Sequence, residues 1–202
     1  MSPKLNHHSD PSVSLRPGAA LPPRWALRAA TADAHARLDT LYSRLDLSRC
    51  GDYRRFLASH AAAFLPVEAG LARAGADDLV PGWSERRRGA ALRADLAALG
   101  VTLPPTHAAP AFNDEGALLG GLYVLEGSRL GGAVLIRAVA AGAPTAFLRP
   151  ETPPSWRAFT ALLDLKLTSD ASIDRAAAAA NAVFAVFERC ARAVLEPTNL
   201  AE

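Results

Sequence analysis

The chain is 202 residues long, half of them hydrophobic, with 22 basic against 20 acidic side chains and a formal net charge of +2. That length suits one globular domain, and so small a charge excludes nucleic acid or an anionic membrane as the principal partner. Cys50 and Cys190 lie far apart in no CxxC pattern, which excludes a disulfide framework and a cysteine-rich zinc site and suits a reducing cytoplasm.

In chain order, residues 1–23 hold five of the fifteen prolines and no apolar run behind a basic start. They read as a disordered tail, not a signal peptide, with the domain running from 24 to 202. Leu27, Ala34, Leu38, Leu41 and Leu45 share one helical stripe, predicting a helix over 24–46. A second amphipathic run extends from Tyr53 to Gly75 with a kink at Pro66. A third covers 84–98 with half a capping box at Ser84 and Arg87, and its Arg86, Arg87 and Arg88 read as a solvated face. After the proline-broken segment VTLPPTHAAPAFND come helices over 114–141, 153–166 and 171–195. The most apolar stretch, 116–142, carries Glu126, Arg129 and Arg137, so no membrane-spanning run is expected. Alternating β-branched runs are absent and the fold class is all-α.

Seven of the fourteen glycines lie between 116 and 142, and Gly120, Gly121, Gly127, Gly131 and Gly132 fall inside an otherwise helix-favouring segment. Each costs roughly 1 kcal/mol relative to alanine, so something must offset about 5 kcal/mol. Tight helix packing is one explanation. A flat ligand lying on bare backbone is the other, and it needs Gly127 and Gly131 one turn apart on one face.

His35, among alanines at the edge of the first helix's apolar stripe, is either a boundary residue or a ligand. Arg28 sits seven residues before it, about 10 Å along the axis, roughly the reach from the centre of a planar macrocycle to carboxylates on its rim. A heme between this helix and the glycine-rich one would account for both features.

These residues carry a family resemblance. LRAATADAHARLD resembles the proximal-helix signature of heme oxygenases, and LYVLEGSRLGGAVL their distal-helix signature, in the bacterial branch that supplies biliverdin to bacteriophytochromes. FLASHAAAFLPVEAGL and AVFAVFE are similar to other core helices of the family, so the resemblance spans 24–195.

The resemblance implies a single-domain helical bundle with heme sandwiched between proximal and distal helices. His35 falls on the iron ligand, and Arg28 on a propionate partner. Gly127 and Gly131, with Gly132 beside them, fall on the glycines against the heme face. Ser128 takes the place of an aspartate that organises distal water in the animal enzymes. Arg157, with Lys166 as its alternative, matches a second propionate partner and Phe187 a pocket wall. Glu126 and Arg129 read as polar-network residues, and His60 as a structural histidine. The implied activity is O2- and electron-dependent cleavage of heme to biliverdin, iron and carbon monoxide, in the cytoplasm. Heme would be both substrate and cofactor, with electrons from an external reductase or ferredoxin and a bacteriophytochrome as bilin acceptor. A non-catalytic heme-binding or heme-sensing protein of the same fold is the alternative.

Overall fold

The computed structural model describes residues 21–149 and 156–195. Seven α-helices are found among them, with no strand: α1 (Pro23–Tyr42), α2 (Cys50–Arg73), α3 (Ala76–Leu79), α4 (Gly89–Ala98), α5 (Glu115–Leu135), α6 (Trp156–Lys166) and α7 (Asp170–Leu195). Three 3-10 turns, Ser84–Arg86, Ile136–Ala138 and Ala146–Leu148, complete the regular structure. The all-α reading holds. The expected N-terminal tail falls almost wholly outside the described residues, as do the first three residues of the helix expected at 153–166.

Pro23 opens α1 in the first-turn position that proline favours. The helix ends four residues earlier than its apolar spacing predicts. Ser43 returns its hydroxyl to the Thr40 carbonyl, and Asp46 starts a new turn by accepting from the amide and hydroxyl of Ser48. Leu45 still packs onto the core, from that turn. In α2, Pro66 lies inside a continuous helix that runs from the core to Arg73.

The largest departure from expectation lies at 84–98. The chain makes only a short turn at Ser84–Arg86, becomes extended at Arg87, and restarts as α4 at Gly89. The cap comes from a distant element. Glu68 on α2 accepts from the amides of Arg88 (2.6 Å) and Gly89 (2.9 Å), satisfying donors that a helix start leaves free. A Cβ at Gly89 would overlap the Glu68 carboxylate as it stands, so a larger residue there would have to displace this cap.

The arginines at 86–88 correct the reading of a solvated face: Arg86 and Arg88 are only 9% and 3% exposed. Arg86 pairs with buried Glu126 of α5, which also holds Arg129 at 3.2 Å. Arg88 donates to the Leu125 carbonyl at 2.8 Å and to the Ser128 hydroxyl, and lies over the rings of Phe64 and Phe147. Only Arg87 is exposed, against Trp83. Charges of both signs in one buried cluster compensate each other's lost hydration, which a sequence pattern of three arginines does not reveal.

By length and composition Glu115–Ala138 would suffice to cross a membrane, contrary to the sequence reading, with 44% of its apolar window buried here. It serves as the central helix. Asp114 caps its start by accepting from the Ala117 amide at 2.9 Å. Helix α7 packs along α1, α2 and α5, whereas the backbones of α1 and α5 scarcely approach one another. Asn181 of α7 donates to the Ala30 carbonyl (3.0 Å), and the Arg24 amide of α1 donates to Asp164 of α6 (3.2 Å). These ties hold α1 on α7 and α6, and with so few backbone contacts between α1 and α5 we read the gap between these two helices as the candidate cleft.

Candidate active site between the first and fifth helices

The glycines of α5 divide by helical phase. At 3.6 residues per turn, Gly116, Gly120, Gly127 and Gly131 fall on one stripe, and Gly121 and Gly132 on the neighbouring one. The first stripe begins in contact and ends in the open. A Cβ at Gly120 would overlap the Ala176 carbonyl of α7, with Ala176 Cα 2.9 Å away, and one at Gly116 would lie 3.0 Å from the Ser172 carbonyl oxygen. Here α5 and α7 cross backbone to backbone. Two turns later the helices have separated. Among the described residues, a Cβ at Gly127 would meet only the Trp156 ring at an ordinary 3.5 Å, and one at Gly131 would have no foreign atom within 4 Å.

Packing therefore accounts for the N-terminal glycines and leaves Gly127 and Gly131 unexplained. Leu130 and Val134, on the same side, are exposed large hydrophobics. The second stripe is packed throughout: Gly121 abuts Phe112 and Leu71, and Gly132 faces the Leu148 backbone at 3.2 Å. For Gly132, expected beside a ligand, packing against Leu148 by itself accounts for the missing side chain. The Ala146–Leu148 turn it meets is itself pinned by buried Asp95, which accepts from the amides of Ala146 (3.0 Å) and Phe147 (2.8 Å).

Across the cleft, the His35 side chain is 61% exposed. Its Nδ1 lies 2.9 Å from the Asp39 carboxylate one turn on, which fixes the ring and leaves Nε2 free to ligate. The hydrogen bond to Asp39 is the main reason its pKa is raised above 6.5; partial burial and the charge of Arg28 act the other way. Phe184 of α7 meets the imidazole edge-on at 5.9 Å.

Arg28 is exposed, lies over the Trp25 ring at 5.4 Å, and makes no ion pair among the described residues. Facing it from α5 is Tyr123. Burial raises its phenol pKa, while a hydrogen bond with Thr31 and the positive charge of Arg28 oppose that shift. Tyr123 packs against Trp156 at 5.6 Å. Arg28, Thr31, Tyr123 and Trp156 thus meet at one end of the cleft, with Arg157 next in sequence to the indole.

Three expected residues sit otherwise than the motifs imply. Lys166, the alternative to Arg157, pairs with Glu115 at 3.5 Å, at the start of α5 and about 18 Å along the helix from Gly127. Phe187 is buried against His60 at 5.7 Å; Phe184, three residues earlier, is the phenylalanine that touches His35. Ser128 donates to the Leu125 carbonyl at 2.7 Å and accepts from Arg88, so its hydroxyl belongs to the buried arginine cluster behind α5. His60 fits its structural reading. It sits among Tyr42, Phe56, Phe147 and Phe187, donates from Nδ1 to the Phe56 carbonyl at 3.0 Å, and has its pKa pushed down to about 4, chiefly by burial.

Sequence reasoning missed Asp39, Tyr123, Trp156 and Arg88. For Asp39 a signal existed, the His-x-x-x-Asp spacing that puts both side chains on one helix face. Nothing local marks the other three, because their partners lie on other helices.

The fold and the cleft define an all-α protein in which a histidine-bearing helix and a glycine-striped helix flank an open groove. No family model matches the chain. The fold is that of a heme oxygenase from Neisseria meningitidis solved in NO- and CO-bound forms: TM-score 0.73, 23% identity, with 91% of this chain and 96% of that one covered. Over 123 residues, 57% of this chain and 74% of its relative, the sequence is 41% identical to a heme oxygenase of Xanthomonas campestris pv. campestris (strain 8004). The chain belongs to the heme oxygenase family.

Proposed function

We propose that the protein binds heme in the cleft between α1 and α5 and cleaves it, with O2 and external electrons, to biliverdin, iron and carbon monoxide. The observation that carries this is the open half of the α5 stripe: Gly127 and Gly131 forgo side chains that the ligand-free packing would accept, on a helix bordering the same cleft as an oriented histidine. Heme, when bound, supplies both the iron that activates O2 and the carbon framework that is oxidised.

The chain supplies position, polarity and cover. His35 ligates through Nε2, with Asp39 holding Nδ1–H and raising the ring's basicity. Arg28, with Tyr123 beside it, receives a rim carboxylate, and Arg157 supplies a second cation. Bare backbone at Gly131, beside the Trp156 ring over Gly127, admits a flat ligand to within van der Waals distance and leaves room for a small molecule and ordered water above it. Phe184 covers the proximal side. Ser128 acts on the helix from behind: tied to Arg88, it fixes the Leu125–Ser128 turn and hence where the Gly127 backbone stands. Electrons come from a separate reductase or ferredoxin, and a bacteriophytochrome receives the bilin. The setting is cytoplasmic, in keeping with unpaired Cys50 and Cys190.

Purified protein mixed with haemin and ascorbate tests this. A Soret band should form and then give way to biliverdin absorption. A Soret band that persists without bilin identifies a binder that does not degrade heme. No Soret shift, or one unaltered in His35→Ala, refutes the assignment.

A further inference from the structure

An axial histidine fixes the centre of a planar macrocycle but not its rotation about that axis, so contacts at the rim must choose which edge faces which end of the cleft. The cations here are poorly suited to that choice. Arg28 and Arg157 are exposed, and a long guanidinium side chain can follow a carboxylate as the ring turns. A braced aromatic side chain cannot.

Trp156 is such a side chain. Its indole stands over Gly127 at the distance of ordinary packing, 3.5 and 3.6 Å from where a Cβ would be, while one turn on Gly131 faces open space. Tyr123 at 5.6 Å and Phe159 at 5.9 Å hold the indole from two directions. Trp156, packed against Tyr123 and Phe159, therefore forms a barrier running from α6 onto α5. Beyond it the α5 face carries only Gly131 and the exposed Leu130 and Val134.

We propose that Trp156 is a specificity-determining wall. It closes the Gly127 end of the cleft, allows a bound macrocycle one rotational seating, and so decides which bridging carbon of heme is opened. The proposal rests on heme occupying the α1–α5 cleft as set out above. A plate lying over Gly131 meets, along one edge, the flat indole that stands over Gly127. Rotation in its own plane would drive a bulkier part of the rim into a ring packed against Tyr123 and Phe159.

The test uses the full chain loaded with haemin. Proton NMR of the ferric, cyanide-ligated complex counts seatings from the shifted heme methyl signals, and chromatography of the product separates biliverdin isomers. The wild type and Trp156→Phe should show one set of methyl signals. Trp156→Leu should show a second set, with the ratio of major to minor isomer falling about tenfold, as expected for loss of one aromatic packing contact. Trp156→Met, which keeps apolar bulk on α6, carries the same expectation should the leucine variant melt early. One set of signals and an unchanged isomer ratio in these variants overturns the wall, as do two sets in the wild type. Failure of the wild type to bind haemin, or binding indifferent to His35→Ala, overturns the cleft assignment itself.

Discussion

The two halves of α5 carry the same residue on the same stripe for opposite reasons. At Gly116 and Gly120 the side chain is missing because the α7 backbone occupies its place; at Gly127 and Gly131 it is missing although the protein's own packing would admit one. A glycine that costs helix stability and relieves no clash serves something outside the chain, whereas one in contact with a neighbouring backbone serves the fold. The crossing at Gly120 also makes the cleft. Helices brought together at one point and inclined to each other must separate further along, and the separation falls where His35 and Phe184 stand.

The comparison can be broken most forcefully at its packed end. Gly120→Ala should cost about 3 kcal/mol or more, because the clash is with backbone that cannot rotate away, lowering the melting temperature by roughly 6–12 °C. A wild-type melt would show that the crossing is looser than described. At the open end, Gly131→Leu should reduce turnover to background in the haemin-ascorbate assay by filling the distal space, with the melting temperature within about 2 °C of wild type. If this variant turns over heme normally, the ligand does not lie on that stripe.

The subtler changes sharpen the contrast. Gly131→Ala should raise ligand-free stability by up to about 1 kcal/mol, seen as a rise of roughly 2–4 °C, while weakening haemin binding. Gly127→Ala should behave alike, with its methyl against Trp156. A drop in stability for either would move these glycines into the packing class.

The smallest expected effect concerns pH. His35 has a pKa raised above 6.5, mainly by its hydrogen bond to Asp39. The imidazolium cannot ligate iron, so haemin affinity should fall as pH drops through that raised value. Asp39→Asn removes the cause and should move the fall to lower pH. Haemin titrations at stepped pH measure this, and an unmoved midpoint would separate Asp39 from the ligand's basicity. The sign for stability is the reverse: the His35–Asp39 pair contributes fully below pH 6.5 and is lost as pH rises through the raised pKa.

Much of this was legible in one dimension. Apolar periodicity marks the long helices to within a few residues, since each buries one stripe whatever its partner is. The His35 and glycine motifs, read together, locate the cleft's two sides. The restart at Gly89 was not legible, because its cap is a carboxylate 20 residues away on α2. Burial of Arg86 and Arg88 was hidden for a similar reason: Glu126, which pairs with Arg86, and the Leu125 carbonyl and Ser128 hydroxyl, which accept from Arg88, all lie on α5.

By itself, then, the sequence determined an all-α chain with a histidine helix and a glycine helix, because helix periodicity and the cost of glycine are local properties. Which glycines pack and which stay open, that Phe184 and not Phe187 meets His35, and that Trp156 stands over Gly127 were decided only by the tertiary structure. Those outcomes depend on the angle at which α5 crosses α7 and on the seating of α6, set by contacts between residues far apart in the chain.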